Sequence, residues 1–169
     1  TNLFKPTATG AQIGAGLIVS TLNSDDVVVT TQSDNTNKGT ITISSAITTT
    51  NTASRELTFV AAEDIDVNAS ITAGSAKTSI FLKAQGNISI ADDVNIVTKG
   101  GSFNVGGAND LGKALAAISD QAGSFTLGST TSTSGKIDTT GASDAPGGNV
   151  VIRTRVRGNT SLDAATTGH

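Results

Sequence analysis

The chain has 169 residues, a formal charge of −3 and a charged fraction of 15%, a balance that favours neither nucleic acid nor an anionic membrane surface as partner. It contains no Cys, which excludes a disulfide scaffold and a Cys-based zinc site. Its aromatics are five Phe, against 27 Thr and 18 Ser, a mixture that suits pleated strands and turns rather than a disordered chain. No apolar run approaches the roughly 20 residues of a membrane span, so membrane insertion is not expected. The chain does not open with Met and is read as a mature or excised fragment.

In chain order, residues 1–12 carry no repeat and read as an N-terminal extension or cut end. From there short alternating pairs recur. Leu17/Val19 lies 24 residues before Ile41/Ile43, and Ile65/Val67 and Ile88/Ile90 follow at 24 and 23. A single apolar position trails each of the last three pairs, at Ile47, Ile71 and Val94. A third series is Leu57/Phe59, Ile80/Leu82, Phe103/Val105, Phe125/Leu127 and Val150/Ile152, spaced 23, 23, 22 and 25. Alternation with period two is the mark of a strand with one face buried. None of these runs can bury its apolar face alone, but stacked on equivalents one period away they close a continuous core. Gly39, Gly74, Gly86, Gly100–Gly101 and Gly106–Gly107 supply the sharp corners.

The expected fold is therefore all-β: a parallel β-helix (β-solenoid), right-handed by the usual rule, with three short strands per coil of about 23 residues. It spans 13–157 and leaves 158–169 as a C-terminal tail. Seven or so coils would make a rod on the order of 35 Å long at ~4.8 Å per coil. The alternative is an antiparallel sandwich of short strands. Two stretches are irregular. SDNTNKG (33–39) reads as a corner insertion. Residues 108–123 place Leu111, Leu115 and Ile118 at helical spacing, yet Leu111 falls 23 after Ile88, so the stretch reads as a coil with a distorted or locally helical face. Phe103 and Phe125, one coil apart, should stack inside, and Phe81 should point outward, where it invites a covering loop or a partner.

Chemistry is sparse. The single His is the terminal His169, read as a solvated end. No nucleophile–His–acid, metal-ligand or phosphate-loop arrangement can be assembled around it, so no cofactor, metal or catalysis is expected. Asp25–Asp26, Glu63–Asp64–Asp66 and Asp92–Asp93 do not recur at the coil period. They fall at different corners, where Asp serves turns by accepting backbone amides, rather than in the column a glycan-cleaving β-helix would use. Sequons at Asn68, Asn87 and Asn159 arise easily in a Ser/Asn-rich chain. The most distinctive patch is NVVIRTRVRGN (149–159). With Val150, Ile152, Thr154 and Val156 inward, Arg153, Arg155 and Arg157 project from one outer face. They are the candidate contact for an anionic glycan, sulfated or carboxylated. The plainer reading is a charge row that guards a strand edge.

Residues 17–72 resemble the repeat region of large filamentous-haemagglutinin-like exoproteins, the adhesins of two-partner secretion. The matching phrases are Leu22 with Val27–Thr31, then Gly39–Ile43, then Leu57–Ala61 followed by Ile65, Val67, Ala69 and Ile71. GKIDTTGASDAPGGNVVI (135–152) is similar to a further phrase of that family. Val60 departs from it, standing where small or polar residues are common. The resemblance implies a non-enzymatic β-helical shaft, secreted through an outer-membrane transporter partner and displayed extracellularly on the surface of a Gram-negative bacterium. A host-cell or surface glycan or protein would be its receptor. The alternative is an extracellular filament subunit that stacks end to end, since open strand edges recruit further strands. A glycan-binding or glycan-cleaving β-helix is the third reading.

Overall fold

The computed structural model describes residues 1–31, 39–106, 122–128, 135–141 and 145–154. In chain order its elements are β1 (Asn2–Phe4), α1 (Ala15–Leu22), β2 (Val27–Thr30), β3 (Ile41–Ile43), β4 (Ile47–Thr49), β5 (Arg55–Ala61), β6 (Ile65–Val67), β7 (Ile71–Ala73), β8 (Thr78–Ala84), β9 (Ile88–Ile90), β10 (Asn95–Val97), β11 (Phe103–Gly106), β12 (Phe125–Leu127), β13 (Lys136–Asp138) and β14 (Val150–Ile152). The expected all-β parallel fold is what these elements build. The first sheet has the order β1-β2-β5-β8-β11-β14, the second β3-β6-β9-β12 and the third β4-β7-β10-β13. Strands consecutive in sequence rarely pair. Each pairs instead with its equivalent one repeat away, always parallel.

The register follows the alternation read from the sequence. Ile41, Ile65 and Ile88 are successive partners in the second sheet, as are Ile43, Val67 and Ile90. Leu57, Ile80 and Phe103 line up in the first sheet, with Phe59, Leu82 and Val105 two residues further on. Every one of these side chains is buried. Full burial of one such side chain stabilises by about 1.5–3 kcal/mol, which no three-residue strand supplies alone. A polar seam crosses the corner from the third sheet to the first. The Gly74 amide donates to Thr49 Oγ1 (3.4 Å), Thr49 and Thr78 hydroxyls lie 3.2 Å apart, and Thr78 donates to Asn51 Oδ1 (3.3 Å). Asn51 in turn donates to the Ala53 carbonyl at 2.7 Å, so the buried polar side chains of this seam all have partners.

The structure corrects the sequence reading at several points. Leu17/Val19 is no strand. Residues 15–22 form α1, which buries Ile18 and Leu22 and leaves Leu17 52% exposed. A helix satisfies its own backbone, so it can close the end of a stack on which no further strand lies. Within residues 1–12, β1 pairs with Val27–Val29 and extends the first sheet by a strand. The partner of Ile71 is Ile96, not Val94. The Asp92–Asp93 corner, with Asp93 at φ 61°, takes up two extra residues, so Ile96 follows Ile88 by eight where Ile71 follows Ile65 by six.

Phe125 and Leu127 belong to the second sheet, opposite Ile88 and Ile90. Phe103 and Phe125 are therefore not stacked equivalents. Their rings meet across two sheets, 6.3 Å apart and tilted by 54°. Val150 and Ile152 pair directly with Phe103 and Val105. In the first sheet β14 therefore lies directly beside β11. Of residues 108–123, Ala122 and Gly123 are described, and the Gly123 amide donates to the Gly86 carbonyl (2.6 Å). The helical spacing at Leu111, Leu115 and Ile118 lies outside the described residues. Among the described residues the seven expected layers become four complete three-strand repeats, with the first sheet one strand longer at each end. Its six strands span roughly 24 Å at ~4.8 Å per step. Of the 33–39 stretch only Gly39 is described, and the Thr31 hydroxyl after β2 donates to its carbonyl (3.0 Å).

Candidate functional site

The acidic clusters resolve into ties between neighbouring repeats. Asp64 Oδ1 accepts the Asn87 amide (2.6 Å), Asp66 Oδ1 the Ser89 hydroxyl (2.7 Å) and Asp26 Oδ1 the Glu56 amide (2.9 Å). Asp25 accepts both the N-terminal ammonium and the Asn2 side-chain amide at 3.1 Å. Asp25–Asp26 precede β2, Glu63–Asp64 precede β6 and Asp92–Asp93 precede β10, so the acidic clusters stand at three different corners, with Asp66 inside β6. Asp138 accepts the Thr140 amide (3.0 Å) and pairs with Lys136 (3.3 Å). The Thr140 hydroxyl and amide, then Lys136, hold its carboxyl below the usual carboxylate range. Among the described residues no three of His, Cys, Asp or Glu are grouped to hold a metal ion. His169 lies outside the described residues, as does the sequon at Asn159.

The outer face of the first sheet carries the most varied chemistry. Along β8 the inward residues are Thr78, Ile80, Leu82 and Ala84, and Ser79, Phe81 and Lys83 face out. Phe81 is half-buried, with Thr58 and Asn104 as its neighbours on adjacent strands. Lys83 Nζ lies 5.8 Å from the Phe81 ring centroid, a distance at which a cation is drawn to the ring face. Val60, beside Lys83, is buried although it faces outward.

Arg153 follows β14, exposed, in the outward phase set by Val151. Its amide donates to Val105 and its carbonyl accepts from Ala122, both at 3.0 Å, so its backbone is held in the sheet. Arg155 and Arg157 lie outside the described residues. The register carries Arg153 into line with Gly106 and Lys83. Lys83 and Arg153 thus stand two strands apart in one outer row, on the order of 10 Å, with a glycine between them and Phe81 alongside. Two cations flanking an open floor can hold an anionic group, and an adjacent ring can support a sugar face. Sequence reading missed Lys83 as the companion of Arg153 because the insertions between them hide the alignment. Its outward phase, two residues after Phe81, was the available signal.

A separate cavity of about 650 Å³ lies at the start of the stack, walled by Phe4, Ile13, Ile18, Val29, Ile41 and Phe59. It exists because the second sheet has no strand level with β1. Among the described residues no helix is long and apolar enough to cross a membrane. No family model matches the chain, and no curated protein or solved structure matches it either.

Proposed function

We propose that the chain is a non-enzymatic shaft segment of a secreted, surface-displayed bacterial adhesin, wound as a right-handed parallel β-helix. The observation that carries this reading is the shared register of three parallel sheets, in which each repeat lies one strand above the last. Parallel crossovers are right-handed in nearly all folds, which supports the hand. The use of Asp26, Asp64 and Asp66 as ties between repeats supports a structural rather than a catalytic role. The haemagglutinin-like phrasing of 17–72 supports adhesion, with passage through an outer-membrane transporter. The row of Lys83 and Arg153 beside Phe81 is the proposed contact for an anionic glycan.

Excision of residues 63–85 tests the shaft. The cut joins Ala62 to Gly86, so Ala62 takes the place of Gln85 ahead of the Ile88 strand. The shortened chain should fold and lose about 4.8 Å in length by small-angle scattering. When displayed on a cell, it should keep its adhesion specificity with a shorter reach. Unfolding on excision would overturn the coil. Loss of adhesion with the fold intact would overturn the spacer role.

A second reading, a filament built end to end, is favoured by Leu127, Val150 and Ile152, which are 40, 49 and 46% exposed on the last strands. The stepped ends count against it. Because the first sheet runs one strand further than the second at both ends, abutting β14 on the β1 of a second copy leaves a gap two strands wide over β12 and β3. Sizing and electron microscopy distinguish the two readings, with discrete monomers expected and fibres favouring the filament.

A further inference from the structure

The corner between the third and first sheets forms a groove of about 500 Å³ that crosses successive repeats, lined by Thr52, Ser54, Ser75, Lys77 and Lys99 among others. Both lysines are exposed. They come from neighbouring repeats and line the same groove. Lys99 reaches back one repeat, and its ammonium donates to the Gly74 carbonyl. Lys77 runs the other way along the groove, its Cε 3.5 Å from the point a Cβ on Gly100 would occupy. No described lining residue is acidic, and the nearby carboxylate of Asp138 is already engaged by Lys136 and Thr140. Two lysines and three hydroxyl-bearing residues thus line one open space, with no counter-charge among the described lining residues.

The backbone adds a second observation. Lys99 sits at φ 50°, ahead of Gly100 at φ 86°. Left-handed geometry disfavours a long side chain, and Gly or Asn would fit this corner better. The fold nevertheless places a lysine there, directed into the groove. Strained non-glycine residues concentrate at sites where a side chain is held for a purpose.

We propose that the groove between Lys77 and Lys99 binds an oxyanion, the sulfate, phosphate or carboxylate group of a ligand. Two point charges on flexible stems suit a single oxyanion, and the hydroxyls of Thr52, Ser54 and Ser75 can donate to its remaining oxygens. Since the chain as a whole is acidic, with a formal charge of −3, attraction is local and binding is expected at millimolar concentration. This site stands apart from the shaft reading, which survives if the groove proves empty of function.

The test is amide-resolved NMR of the full chain, titrated with sodium sulfate, sodium phosphate or sodium acetate at ionic strength held constant with sodium chloride. Saturable shifts confined to residues 74–77 and 98–101 are expected, and the strongest of the three salts identifies the ligand class. Lys77→Gln and Lys99→Gly should each weaken binding by about tenfold, the loss of one charge-assisted contact. Lys99→Gly also relieves the left-handed strain, so it should fold at least as well as the parent and separates lost binding from lost structure. Lys5→Gln should leave the shifts unchanged. Shifts that do not saturate, that spread to other lysines, or that persist in both groove variants would overturn the site.

Discussion

The assignment of β12 to the second sheet can be tested with two cysteine pairs, because the chain has no cysteine of its own. Ser89 and Thr126 are register partners on adjacent parallel strands, and both face away from the core. Neighbouring strands stand ~4.8 Å apart, which falls inside the roughly 4.4–6.8 Å that a disulfide needs between Cα atoms. The double variant Ser89→Cys/Thr126→Cys should therefore oxidise to a cross-linked monomer. The bond would close a loop of 37 residues, which constrains the unfolded chain by about 4 kcal/mol in the loop-entropy treatment. Against this, the substitution removes the Ser89–Asp66 hydrogen bond, worth about 1 kcal/mol. The net expectation is about 3 kcal/mol of added stability under oxidising conditions, lost on reduction. The comparison pair is Asn104→Cys/Thr126→Cys, which would be adjacent if Phe103 and Phe125 were equivalents one repeat apart. In the structure they lie in different sheets, so this pair should stay reduced. Peptide mapping under non-reducing conditions reads both outcomes. Ready cross-linking of the Asn104 pair, with none in the Ser89 pair, would refute the register and the count of four complete repeats built on it.

Three further outcomes follow. Ile18→Ala should cost about 3 kcal/mol by denaturant unfolding and Leu17→Ala under about 0.5 kcal/mol, because α1 buries the first and exposes the second. The reverse order would restore a strand at 17–19. Gly101→Ala would place a methyl group 2.5 Å from the Thr78 backbone, so it should destabilise by about 2 kcal/mol, and a neutral result would show that the corner can widen. Asp138 has its native carboxyl lowered by Thr140 and Lys136, so it stabilises the fold above the unfolded value of about 4. That contribution disappears as pH falls through the native value. Asp138→Asn should accordingly lower the melting temperature at pH 7 and leave it unchanged at a pH below both values. An equal drop at both pH values would mean that the carboxylate charge is not what stabilises.

The fold was most legible where each corner has a constant length. From Leu57 to Ile90 the alternation and the period of 23 fix each strand, its inward face and its partner, and Phe81 lies half-buried on the outer face as its phase required. Legibility fails where corners take up insertions, because the stack constrains pairing in space and leaves spacing along the chain free. Phe125 follows its partner Ile88 by 37 residues, Ile137 follows Ile96 by 41, and Val150 follows Phe103 by 47. The last figure is close to twice the period, so a single step looked like two. The candidate site inherited the same ambiguity, which separated Lys83 from Arg153 by an apparent extra coil.

The sequence adds a second disguise, since Gly-Ser-Phe occurs at both 101–103 and 123–125, 22 residues apart. The two tripeptides enter different sheets, yet they answer the same demand. A Cβ on Gly101 would strike the Thr78 backbone at 2.5 Å, and one on Gly123 would meet Asn87 Oδ1 at 2.8 Å. Each corner passes so close to the repeat below that only glycine fits, a small polar residue follows, and the next residue turns inward to the core. Equivalent local packing thus selects the same three residues at corners that are not equivalent in the fold. Periodicity alone cannot separate them, and the hydrogen-bonded partner of each strand does.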